Sequence, residues 1–112
     1  MAGHSFYLPA DFSDYELEVT AKGFFSEAKI LYFEKTYSVN FYDPARLAQE
    51  IENEIQRGAI FFEINLIVIQ SVTGSAMAQA IDLLVRSGQM KFLVPNQSND
   101  SQDNKNTMTS AP

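Results

Sequence analysis

From Ala59 to Gln70 the chain reads AIFFEINLIVIQ, with an apolar residue at nearly every position. Taken alternately, Ile60, Phe62, Ile64, Leu66 and Val68 fall on one side, and Phe61, Glu63, Asn65, Ile67 and Ile69 on the other. A period of two with β-branched and aromatic residues predicts a strand. The first side is wholly apolar and is expected to face the core. The second is polar at its centre and is expected to be half covered, by neighbours or by a partner. A membrane helix needs about 20 apolar residues; this run is far shorter, and Glu63 and Asn65 interrupt it.

The flanking segments switch to helical spacing. In YDPARLAQEIENEIQRG, Asp43 suits an N-cap and Pro44 the first helical position, while Leu47, Ala48, Ile51 and Ile55 form one stripe. Arg57 suits the last turn, and Gly58 the left-handed residue that ends a helix. In TGSAMAQAIDLLVRSG, Thr73 suits a cap, and Met77, Ala80, Ile81, Leu84 and Val85 form the stripe. Asp82 and Arg86 stand one turn apart, and Gly88 stops the helix. Met90–Val94 then predicts a last short strand, ended by Pro95.

The N-terminal half reads as β. YELEVTAK alternates, with Tyr15, Leu17, Val19 and Ala21 inward and Glu16, Glu18, Thr20 and Lys22 outward. Ala28–Tyr42 exceeds a typical strand of about 5–6 residues. It fits either one bent strand or a hairpin turning near Glu34–Thr36, where no Gly, Asn or Pro marks the turn. SFYLP suits an edge strand ended by Pro9. The order β-β-β(β)-α-β-α-β predicts an α+β, two-layer domain: one mixed, mainly antiparallel sheet with two helices packed on it. The connection through Pro44–Arg57 fits a right-handed parallel crossover or an antiparallel return.

Composition limits the extent of the fold. Of 112 residues, 46% are hydrophobic and 20% charged, which is globular. The stretch 96–112 is polar and without periodicity, so residues 1–95 are expected to form a single domain and 96–112 a disordered tail. There is no cysteine, so disulfides and thiolate metal sites are excluded. No signal-peptide pattern opens the chain, and the expected compartment is the cytoplasm. A net charge of −6 with no Lys/Arg cluster disfavours nucleic acid and anionic membranes as partners.

Four features are candidates for function. Thr73, Gly74 and Ser75 occupy a strand-to-helix turn, where free N–H groups suit an anion, although plain capping explains the same residue types. Glu63 and Asn65 form a polar pair on one strand side, suited to orienting a ligand. Glu50 and Glu54 lie one turn apart on an acidic helix face suited to a basic partner. Phe24 and Phe25 sit where a loop is expected, in a chain with nine Phe and five Tyr, and suit interface anchors. The single histidine, His4, lies near the N-terminus, and no set of residues for covalent catalysis or metal binding is present; no cofactor is expected. The expectation is a non-catalytic protein-binding module, an acidic inhibitor, immunity-type or adaptor protein with a basic partner. The alternative is a small-ligand or anion-binding protein or enzyme using the turn at 71–76. A homo-oligomer fits either.

Overall fold

A computed structural model describes residues 3–97. The chain runs β1 (His4–Tyr7), α1 (Phe12–Lys22), β2 (Phe24–Tyr32), β3 (Lys35–Tyr42), α2 (Pro44–Gln56), β4 (Leu66–Val68) and α3 (Gly74–Arg86), then a short 3₁₀ turn at Gln89–Phe92. The four strands form one sheet in the order β1-β2-β3-β4. The first three are antiparallel, and β4 runs parallel to β3. The domain is therefore α+β with a mixed, mainly antiparallel sheet, as the strand pattern predicts. Among the described residues no helix is long and apolar enough to cross a membrane.

The core lies on one face of the sheet. Phe25, Ala28 and Ile30 of β2 and Tyr37, Val39 and Phe41 of β3 point into it, and Phe12 and Val19 of α1 and Met77 and Ile81 of α3 close over them. Each of the large aliphatic and Phe or Met side chains among these contributes about 1.5–3 kcal/mol on burial. Val72 and Met90 seal the ends. Between Phe25 and Ala28 the register against β3 slips by one residue, a bulge that keeps both on the core side.

Three expectations are corrected. The segment Phe12–Lys22 is a helix, so there are three α-helices among the described residues, and those packed on the core are α1 and α3. Its helical stripe runs Phe12, Tyr15, Glu16, Val19, Thr20, and two of these five are polar. Glu16 accepts a hydrogen bond from Gly74 N (2.7 Å), and the Thr20 hydroxyl donates to Val72 O (2.7 Å). Polar atoms bonded inside a helix face hide its 3.6-residue period and leave only an apparent alternation. Leu17, expected inward, is 86% exposed.

The second correction concerns 59–70. Only Leu66–Val68 pairs with β3, and the alternation is real but turned over. Ile67 and Ile69 pack on the core, while Ile60, Phe62, Ile64 and Val68 are exposed. The third concerns 90–94: Gln89–Phe92 is a 3₁₀ turn, and beyond it Val94 pairs with the Asn65 side chain while Asn96 N donates to Thr36 O (2.6 Å). The polar stretch from 98 onward lies outside the described residues.

The remaining elements follow their sequence signals. Residues 24–42 form the hairpin, turning through Phe33 and Glu34 with φ of 51° and 66°. Asp43 caps α2 and Thr73 caps α3 through their side chains. Asp82 meets Arg86 at 2.9 Å.

The reversed face of the 59–69 segment has a measurable consequence. Ile67→Ala is expected to cost about 2 kcal/mol or more, the low end for truncating a packed aliphatic chain, and Ile64→Ala well under about 1 kcal/mol. Urea melts of the two variants check this order; equal losses would contradict the assignment of faces.

Candidate functional site

Helix α2 presents an amphipathic surface that the fold leaves uncovered. Asp43 Oδ1 accepts from Arg46 N at 2.7 Å, and Pro44 begins the helix. At the other end Gly58, with φ of 82°, donates to Ile55 O and Ala59 N donates to Glu54 O. This pair of bonds reverses the chain after the last turn. No side chain of α2 is fully buried. Along its stripe Leu47 is half-buried, Ile51 is 36% exposed and Ile55 62% exposed, so the stripe opens toward the C-terminal end of the helix.

Two of the three acids of α2 are already paired with cations. Glu50 pairs with Arg46 at 2.7 Å, and Glu54 with Arg57 at 2.7 Å. Arg46 also lies over the Phe24 ring, 5.4 Å from its centroid, and donates to Lys22 O. Glu50 and Glu54 thus carry their own counter-ions, and the helix is less acidic toward a partner than its composition implies.

After α2 the chain returns in an extended run fastened from one side. Phe61 packs edge-on against Tyr42, with centroids 6.1 Å apart. The buried Tyr42 hydroxyl donates to Glu63 Oε2 at 2.7 Å, while Glu63 Oε1 is buried without a hydrogen-bond partner. Asn65, at a positive φ of 57°, sends Nδ2 to both Ser38 O (2.8 Å) and Val94 O (2.9 Å), and its Oδ1 accepts from Val94 N (2.8 Å). Its amide stands in for a peptide group and bridges β3 to the C-terminal segment. Glu63 and Asn65 therefore face different neighbours and do not converge on a common site. Burial first, and then the hydrogen bond and negative charge of Glu63, hold the Tyr42 phenol well above its usual range. With Phe61, Glu63 and Asn65 turned inward, Ile60, Phe62 and Ile64 point out.

The turn before α3 is filled from within. Thr73 Oγ1 accepts from Ala76 N at 3.1 Å, and the Glu16 carboxylate sits on Gly74 N. The positive end of the helix thus already holds an anion, supplied by α1. Ser75 is exposed beside it. Glu16 is the residue that sequence reasoning missed; its spacing of four from Thr20 is the only trace of it.

Phe24 and Phe25 diverge. Phe25 is 5% exposed and packs on Phe12, with centroids 5.1 Å apart, so it belongs to the core. Phe24 is half-buried on the opposite side, against Tyr42 and under Arg46. His4 is paired in β1, opposite Tyr32. A shallow concavity of about 720 Å³ runs along α3 beside Ile69 and Gln70, and its charged lining residues, Asp82 and Arg86, are bonded to each other. Among the described residues no cluster of His, Asp or Glu is placed to hold a metal ion.

Two outcomes follow. Glu16→Ala is expected to lower stability by about 1–2 kcal/mol, the range for a partly exposed bond to a charged group. Millimolar sulfate should then raise the melting temperature of this variant more than that of the wild type; equal shifts would mean that the turn is not an occupied anion site. For Tyr42, the folded state holds the phenol proton more tightly than the unfolded chain, whose value is about 10. The contribution is therefore complete below about pH 10 and falls away as the pH rises past it. Urea melts between about pH 8 and 11 should show stability dropping at the alkaline end, with a shallower drop in Tyr42→Phe. The chain matches no protein-family model, no curated protein and no solved structure.

Proposed function

We propose that this chain acts by binding another protein through the surface built from α2 and residues 59–64, as an inhibitor, immunity-type or adaptor module does. One observation carries the reading. Ile55, Ile60, Phe62 and Ile64 are 62%, 81%, 74% and 51% exposed, within ten residues of chain held by an ordered helix cap and by inward-facing Phe61, Glu63 and Asn65. Scattered exposed apolar residues are ordinary, but a contiguous group is what an interface core uses.

This reading shifts the binding surface from where charge alone places it. Phe62 and Ile55 replace Phe25 as anchors, because Phe25 belongs to the core. Glu50 and Glu54 sit beside the surface but are neutralised by Arg46 and Arg57, so they act at its rim. Exposed Asp11, Asp14 and Glu18 on α1, with Glu27 on β2, remain for a partner with basic residues. The ligand reading is weaker, because an anion at Thr73–Ser75 must displace Glu16. The proposed setting is the cytoplasm.

A photo-crosslinking residue placed at Phe62 tests the proposal in the native host, with Leu17, equally open but on α1, as the control position. A discrete protein adduct from position 62, lost when Ile55 and Ile60 are both changed to Asp, is the expected result. Adducts no stronger than those from position 17 would overturn the reading.

A further inference from the structure

We infer that the occupant of this surface is a second copy of the same chain, joined about a twofold axis that passes beside Phe62. The inference rests on the proposal that α2 and 59–64 form a protein-binding surface, and it names the partner.

The first observation is symmetry in the sequence of the exposed side. Ile60, Phe62 and Ile64 read the same in both directions. Two such segments running antiparallel about Phe62 place each Ile60 opposite the second copy's Ile64 and each Phe62 opposite the second copy's Phe62. A twofold contact needs this property, since the same patch must complement itself. A segment of arbitrary apolar order does not provide it.

The second is the main chain. Among the described residues, none of the N–H groups from Ile60 to Ile64 makes a hydrogen bond. The Ile64 carbonyl is taken by Asn40 Nδ2 at 3.0 Å. Phe61 and Glu63 turn their side chains in toward Tyr42, so the segment has no strand neighbour of its own among the described residues and offers its Ile60, Phe62 and Ile64 side outward. An unpaired apolar stretch held open in this way is covered when a second copy packs its own outward side against it.

The third is size and charge. Allowing on the order of 200 Å² for a large side chain, the exposed parts of Ile51, Ile55, Ile60, Phe62 and Ile64 amount to roughly 600 Å². That is at the top of the range for the largest patch on a monomer, about 300–600 Å², and is a large part of the ~800 Å² that each partner gives to a standard interface. The chain carries −6, and of the three acids of α2 Glu52 has no basic partner among the described residues, taking a hydrogen bond from Gln56 instead. Glu50 and Glu54 are paired with arginines, and Glu63 is turned in to Tyr42.

The chain has no cysteine, which makes a direct test simple. Wild type, Phe62→Ser, Phe62→Cys and Leu17→Cys are compared as full-length chains, with circular dichroism melts confirming that each is folded. In sedimentation equilibrium from about 1 to 200 μM, the wild type should show twice the 12.6 kDa chain mass at the upper end, and Phe62→Ser should weaken association at least tenfold. Under mild oxidation Phe62→Cys should form a disulfide-linked dimer several times faster than Leu17→Cys. A wild type that stays monomeric throughout overturns the inference, as does a dimer indifferent to Phe62→Ser or equal crosslinking from both positions. A monomer that still gives the position-62 adduct with a different protein in the host would sink the dimer while leaving the protein-binding proposal standing.

Discussion

The hydrogen bond from the Tyr42 hydroxyl to Glu63, 2.7 Å long and partly buried, decides which way the most apolar part of the chain faces. An extended segment offers either of its two sides to the domain, and by apolar content alone Ile60, Phe62 and Ile64 would go in. Instead the polar side is drawn in, because Tyr42 presents a phenol that needs an acceptor and Ser38 and Val94 present main-chain groups that Asn65 satisfies. Leaving a buried group unbonded costs about 1–3 kcal/mol. The Tyr42–Glu63 and Asn65–Ser38 bonds are partly buried and those to Val94 exposed, so each contributes less than that, and it is their sum over Glu63 and Asn65 that offsets the apolar side chains left outside. The arrangement is not free of cost, since Glu63 Oε1 stays buried without a partner. The apolar side is left outward as a consequence.

Much of the fold is readable from local signals where those signals concern the main chain. Asp43-Pro44 and Thr73 start helices through capping geometry, Gly58 and Gly88 end them at positive φ, and β1, β2 and β3 show as strands. The failures occur where a polar side chain is satisfied at a distance in sequence. Glu16 and Thr20 bond to residues 72–74 and so occupy the inner face of α1, which makes a helix look like a half-exposed strand. The hairpin turn goes unmarked for a different reason. Phe33 and Glu34 both adopt positive φ, which Asn and Gly normally supply in two-residue turns, so no residue type announces it.

The candidate site was legible in part, for the same reason. That α2 is amphipathic follows from Leu47, Ile51 and Ile55. That its stripe stays open does not, since it depends on α1 and α3 filling the core face without it. Glu50 and Glu54 stand out as acids, and the pairing of Glu50 with Arg46 follows from their spacing of four. The contact of Gly74 N with Glu16 spans most of the domain, and nothing near Thr73–Ser75 reveals that this turn is already occupied.

The single parallel pairing in the sheet also bears on how the domain assembles. β1, β2 and β3 join through connections that bring neighbours together along the chain, and the β2–β3 hairpin closes over two residues. β4 reaches β3 only after α2 and the return segment have been laid down, so its contacts carry a larger loop-closure cost. The hairpin is thus the natural nucleus, and β4 is among the last parts of the sheet to form. Until then the whole run from Ile60 to Ile69 lacks a partner on either side. A short, β-branched and aromatic stretch with a single charge is an aggregation hazard while exposed. Glu63, the lone charge within it, is the one side chain there whose hydration opposes such association, before it takes up its place beneath Tyr42.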